Sequence, residues 1–148
     1  MESTYNLEPS SLAVSRFKIL IADDDAANRE TLAGMLQDRG FDAVTASDGK
    51  EAVQVFQANT VHLALFDMHM PRLTGLQALR LVRQMNQLLP AILMTANSSR
   101  QLIEEATQAQ VFTVIPKPVN KTTILTSLTQ ALQLAYPNHP PLSGERLR

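Results

Sequence analysis

The amino-acid sequence predicts an α/β fold in which a five-stranded parallel sheet is doubly wound, with helices on both faces. Two observations carry this. Apolar runs of strand length alternate five times with longer stretches of helical period, the pattern of a parallel sheet with helical crossovers. The crossovers are right-handed, so every strand points the same way and all the strand C-terminal ends meet at one edge. At that edge stand four of the seven aspartates in the chain, Asp23, Asp24, Asp25 and Asp67.

Residues 17–22 read as a buried strand that runs into the three aspartates. A helix over residues 27–37 follows, with Leu32, Met35 and Leu36 on its inner face, and Gly40 closes it. Residues 41–46 form the second strand. Asp48 with Glu51 three residues on makes a capping-box-like start for a helix that carries Ala52, Val53, Val55 and Phe56 and stops near Asn59. Residues 61–66 form the third strand, followed by Asp67, a loop containing Pro71 and Gly75, and a helix with Leu76, Leu79 and Val82 turned inward. Pro90 opens the fourth strand over residues 91–95. Ser98 or Ser99 caps a helix over residues 100–109, and residues 111–115 make the fifth strand. Asn120 caps the last helix, whose Ile124, Leu125, Leu128 and Leu132 form an apolar stripe.

The ends differ from this pattern. Residues 1–15 are polar and mixed and are expected to be a flexible arm, and residues 137–148, with Pro137, Pro140, Pro141 and Gly144, a flexible tail. One domain over residues 16–136 is expected between them. The chain has 148 residues and 45% apolar composition, enough for one sizeable core. Acidic and basic residues number 14 and 13, with no long block of one sign, so no direct nucleic-acid or membrane surface is expected. The absence of cysteine excludes disulfides, thiolate metal sites and a cysteine nucleophile. No apolar run is long enough to span a bilayer and no export signal opens the chain, which makes the cytoplasm the expected location.

Asp23, Asp24 and Asp67 carry the chemistry. Two carboxylates about 4 Å apart repel by roughly 4 kcal/mol at an effective dielectric near 20. A single aspartate at a helix start is an ordinary cap, but a pair joined by a third from another strand needs an offsetting charge. A hard divalent cation suits such oxygen-only ligands, and Mg2+ suits a small open site best. Lys117, one of four lysines, sits at the exit of an otherwise apolar strand and faces the same edge, where it supplies a compact positive charge for a phosphoryl oxygen. Thr95, at the end of the fourth strand, offers a hydroxyl there.

Four segments resemble the signatures of the response-regulator receiver domain of two-component signalling, in its order and spacing. They are Ile19-Leu20-Ile21-Ala22-Asp23-Asp24-Asp25, Phe66-Asp67-Met68-His69-Met70-Pro71 with Gly75, Met94-Thr95-Ala96, and Lys117-Pro118. The resemblance covers roughly residues 17–135 and is closest in kind to stand-alone, chemotaxis-type receivers. It implies a flavodoxin-like three-layer sandwich. It also implies that Asp67 is the phospho-acceptor, that Asp24 binds Mg2+ directly with Asp23 as a water-mediated companion, and that the backbone carbonyl of His69 joins them. By the same likeness Thr95 follows the phosphoryl group, Lys117 pairs with it, the Lys117-Pro118 bond is cis, and Asp25 points away from the metal or caps the first helix. The side chains of His69 and Asn97 stand where the family tunes the lifetime of the phosphoryl group.

The activity so implied is transfer from a histidine kinase or histidine phosphotransfer protein onto Asp67, with self-phosphorylation and slow autodephosphorylation as the only catalysis. The signal passes through a switch region of Thr95, Ala96 and Val114 to a downstream protein partner or a further phosphotransfer step. The chain is expected to be a monomer or a weak dimer through the face of the fourth helix, fifth strand and fifth helix. One departure concerns Val114, where many receivers carry an aromatic residue. Phe112, two residues earlier, either substitutes for it or packs in the core, and strand periodicity favours the core.

Two other readings compete. Asp23-x-Asp25 formally matches the nucleophile motif of haloacid-dehalogenase-type small-molecule phosphatases, but the chain is short for that class and Asp67 and Lys117-Pro118 would go unexplained. A receiver-like interaction module that needs no phosphate is the other, and the complete set of Asp23, Asp24, Asp67, Thr95 and Lys117 argues against it.

Overall fold

A computed structural model describes residues 16–138. The expected arm over residues 1–15 and all but Pro137 and Asn138 of the expected tail lie outside the described residues. Strands and helices alternate as β1 (Lys18–Ala22), α1 (Ala26–Asp38), β2 (Asp42–Ala46), α2 (Gly49–Ala58), β3 (Leu63–Asp67), α3 (Gly75–Met85), β4 (Ala91–Thr95), α4 (Arg100–Gln108), β5 (Thr113–Pro116) and α5 (Lys121–Ala135). The five strands pair in parallel in the order β2-β1-β3-β4-β5.

Strand alternation divides the core into two layers. Ile19, Ile21, Leu63, Leu65, Ile92 and Met94 face α1 and α5, where they meet Leu32, Leu36, Ile124, Leu128 and Leu132. Leu20, Ala64, Phe66 and Leu93 face the opposite way and pack with Ala52 of α2, Leu76, Leu79 and Val82 of α3, and Ala106 of α4. β1, β3 and β4 are covered on both faces, which is why they read as continuous apolar runs. Each fully buried Leu or Ile side chain contributes about 1.5–3 kcal/mol. The edge strand β2 is only partly buried, and Val53, Val55 and Phe56 of α2 are correspondingly half-buried.

Local chemistry sets the helix ends. Gly40, at φ 91°, closes α1: its N–H donates to Gln37 O and that of Phe41 to Leu36 O, the paired bonds of a Schellman turn. Gln110 does the same for α4 without being glycine, at φ 59°, with Gln110 N–H on Thr107 O and Val111 N–H on Ala106 O. The half-buried Arg83 guanidinium braces that end by donating to the carbonyls of Leu89, Ala109 and Gln110. Asp48 caps α2 through the Glu51 N–H at 2.7 Å, but Glu51 reaches back to Ser47 N–H rather than to the cap itself. The reciprocal capping box belongs to Thr74 and Gln77 at α3.

The strand order reverses between β1 and β3: from β1 the chain winds outward to β2 on one side, and from β3 it winds to β4 and β5 on the other. Such a switch point leaves a crevice at the strand C-terminal ends.

Candidate functional site

The register of the sheet assembles the site. Ala22 pairs with Phe66, so Asp23 leaves β1 beside Asp67 at the end of β3. Asp67 pairs with Met94, which places Thr95 one residue further along β4, and Thr95 pairs with Pro116, after which comes Lys117. The Lys117 N–H donates to Thr95 O at 2.7 Å, and the Lys117-Pro118 peptide is cis.

Asp23, Asp67 and Thr95 are buried polar residues in the floor of the crevice. Lys117 Nζ lies 3.1 Å from Asp23 Oδ2 and 3.2 Å from Asp67 Oδ2. The remaining oxygens are also held: Asp23 Oδ1 accepts the Asp25 N–H at 2.9 Å, and Asp67 Oδ1 accepts the His69 N–H at 3.2 Å. Burial pushes the Asp67 carboxyl above its ordinary value; the His69 N–H opposes this, the Asp23 charge adds to it and Lys117 opposes it. Burial alone would pull the Lys117 ammonium down. The hydrogen bond to Asp23 and the charges of Asp67 and Asp23 outweigh it, and the net direction is upward.

Asp23, Asp24 and Asp67 each offer a carboxylate oxygen within 4.8 Å of the others, with Asp24 exposed. Three carboxylates face one lysine, two of them withdrawn from water. Oxygen-only donors with an uncompensated negative charge and one open side fit a hard divalent ion such as Mg2+.

Asp25 does not join the cluster. It caps α1, accepting from Ala27 N at 2.9 Å and Asn28 N at 3.2 Å. This removes the second carboxylate of the Asp-x-Asp reading and with it the support for a haloacid-dehalogenase-type phosphatase. Phe112 also departs from expectation. β5 begins at Thr113, so Phe112 lies in the preceding turn, 37% exposed, at the end of the strand away from the site. It does not pack in the core. Val114 is half-buried on the layer that includes α4.

Two contacts were not legible in the sequence. Arg29 Nη1 donates to the Asp23 carbonyl at 2.7 Å, bracing the turn between β1 and α1. The ring of His69, an exposed residue, reaches Thr95 Oγ1 through Nε2 at 3.2 Å. A histidine in a loop carries no signal of which neighbour it will meet. Gly75, quoted with the second signature, has a packing reason: a Cβ there would meet the Asp67 carbonyl oxygen, so only glycine lets α3 start against the loop after Asp67. Beside the cluster, a cleft of about 450 Å3 opens between α1 and the loop after β5, lined by Asp23, Asn28, Thr31, Lys117 and Val119 among others.

Residues 19–129 match the family model described as response regulator receiver domain. The chain is 37% identical over 94 residues to response regulator RR06 of Streptococcus pneumoniae, covering 64% of this chain and 41% of that protein. It is 34% identical over 119 residues to the transcriptional regulatory protein PdtaR of Mycobacterium tuberculosis, covering 80% of this chain and 56% of that one. It therefore spans roughly half the length of these curated relatives. Among solved structures, the chemotaxis protein CheY4 of Vibrio cholerae superposes with a TM-score of 0.75 at 28% identity, covering 78% of this chain and 98% of that one.

Proposed function

This chain belongs to the response regulator receiver domain family, and from that premise we propose that it takes a phosphoryl group from phosphohistidine onto Asp67 and passes the signal on by rearranging the loop after β4. The single observation that carries this reading is Lys117 Nζ held between Asp23 Oδ2 and Asp67 Oδ2, with Asp24 completing the acidic cluster.

Both oxygens of the Asp67 carboxylate are engaged before a donor arrives, so its plane is already set. In the transfer an oxygen of Asp67 forms the new bond to phosphorus while the phosphorus–nitrogen bond breaks, and the electron pair leaves with the donor imidazole. Lys117, kept charged by its two partners, turns to a phosphoryl oxygen, and the Thr95 hydroxyl donates to another. Asp23, Asp24, Asp67 and the His69 carbonyl would hold Mg2+. When bound, the ion supplies positive charge against the acceptor and phosphoryl oxygens.

The donor is a histidine kinase or histidine phosphotransfer protein, which docks at the strand C-terminal edge where the acidic cluster lies. Phosphorylation adds about one to two negative charges at the end of β3, and Thr95 at the end of β4, moving to meet them, carries Ala96 with it, with Val114 half-buried on the neighbouring strand. A downstream protein partner reads that movement, with the surface of α4, β5 and α5 as the place for weak self-association. Among the described residues no helix is long and apolar enough to cross a membrane, and we place the transfer in the cytoplasm, where kinase domains draw on ATP. Apart from self-phosphorylation and slow autodephosphorylation, no turnover is expected.

The test is incubation with acetyl phosphate and Mg2+, then mass mapping of the modified residue in the parent and in Asp67→Asn. A single phosphorylation at Asp67, absent from the variant, is expected. Modification elsewhere, or none, would reject the reading.

A further inference from the structure

We propose that His69 is a positioning residue whose imidazole latches the Thr95 hydroxyl in its resting place, and so sets how readily the loop after β4 answers to a charge on Asp67. This rests on the reading of Asp67 as the acceptor and goes beyond it.

Thr95 is fully buried, and its hydroxyl has one proton to donate and two lone pairs to offer. Three groups surround Oγ1: the Asn97 N–H, which donates at 3.1 Å, the Asn97 carbonyl at 3.1 Å and His69 Nε2 at 3.2 Å. The hydroxyl proton therefore has an acceptor without a phosphoryl group, and both lone pairs are filled as well when Nε2 carries the proton. If the ring nitrogen is bare, Thr95 donates to it. If the nitrogen is protonated, the ring donates to Oγ1 and Thr95 donates to the Asn97 carbonyl. In either tautomer the ring fixes Oγ1 where it is, and a hydroxyl that moves toward a phosphoryl oxygen leaves both His69 and Asn97.

His69 is also tied to the acceptor, because its own N–H donates to Asp67 Oδ1 at 3.2 Å. One residue thus touches the acceptor through its backbone and the responding hydroxyl through its ring. An analogue of the phosphoryl group binds the rearranged state, and its apparent affinity falls by the fraction of molecules still latched. One net hydrogen bond of this kind changes such a ratio by about two- to tenfold.

The experiment compares the parent with His69→Leu, which removes the bond, and His69→Gln, whose side-chain amide restores a donor and an acceptor. In metal-free protein, NMR signals of the Thr95 methyl and the Asn97 amide are expected to shift in His69→Leu and to return in His69→Gln. With Mg2+ and beryllofluoride, His69→Leu is expected to bind the analogue about two- to tenfold more tightly than the parent, with His69→Gln close to the parent. Equal or weaker binding by His69→Leu, or a His69→Gln that follows His69→Leu in both measurements, overturns the latch. If the parent fails to bind beryllofluoride, or Asp67→Asn binds it equally, the acceptor reading fails instead. The metal-free signals then decide the resting His69–Thr95 contact by themselves: no shift in His69→Leu overturns it, and a shift reversed in His69→Gln upholds the contact while its tie to a charge on Asp67 falls with the acceptor reading.

Discussion

Lys117 Nζ lies 3.1 Å from Asp23 Oδ2 across 94 residues of chain. Asp23 is fully buried, and a buried carboxylate stripped of its cation is far costlier than the pair is favourable. The same ammonium also holds Asp67 at 3.2 Å. The site is thereby a structural tie between β1, β3 and the loop after β5 as well as a chemical device.

Lys117→Met is accordingly expected to destabilise the metal-free protein at pH 7 by about 3 kcal/mol. Urea unfolding measures this, and millimolar Mg2+ should recover part of the loss by binding the freed carboxylates. Because the Lys117 ammonium titrates above its ordinary 10.5, its contribution is complete below that pH and fades as pH rises through the folded value. A loss under about 1 kcal/mol at pH 7 would contradict this role for the pair.

Asp67 behaves in the opposite sense. Its carboxyl is raised above 3.8, chiefly by burial, so the folded chain holds this proton more tightly than the unfolded chain. Its contribution to stability therefore falls as pH rises from 3.8 through the folded value, and the ionised group is a net cost at pH 7. Asp67→Asn should be more stable than the parent at pH 7 without metal, with the gap closing as pH drops toward 4. Denaturant midpoints at several pH values check it, and a gap independent of pH would count against the argument.

Gly75→Ala tests the approach of α3 to Asp67. Alanine in a helix is ordinarily better than glycine by about 1 kcal/mol, yet here the added Cβ enters the backbone oxygen of Asp67. The expected sign is reversed, with a loss of about 1–3 kcal/mol from overpacking. Equilibrium unfolding decides it, since a more stable variant would mean that the loop yields freely.

Gln110→Gly concerns the far end of the sheet. Gln110 holds φ 59°, where a side chain costs about 1–2 kcal/mol and glycine little. After glycine's entropy penalty, a gain of about 0.5–1 kcal/mol is expected. Arg83→Met should act the other way by about 2 kcal/mol, because the carbonyls of Leu89, Ala109 and Gln110 lose a charged donor together. Thermal unfolding of the two variants should move in opposite directions.

The order of strands and helices was legible in the sequence because it rests on periodicity, capping and turn residues, which act over a few positions. Leu32, Met35 and Leu36 face the core as their spacing requires, Gly40 closes α1, and Asn120 caps α5. The gathering of Asp23, Asp24 and Asp67 was legible too, since parallel strands bring their C-terminal ends to one edge whatever the register. Register and side-chain direction were settled only by tertiary packing. The pairing of β1 with β3 sets Asp23 beside Asp67, the α1 N-terminus takes Asp25 out of the cluster as its cap, and the start of β5 at Thr113 leaves Phe112 outside the core. The ring of His69 finds Thr95 only because two loops from neighbouring strands approach each other. Local rules of periodicity and capping bring these chemical groups to the crevice. Long-range packing decided which of them touch, because a hydrogen bond depends on differences of a few tenths of an ångström that no local pattern encodes.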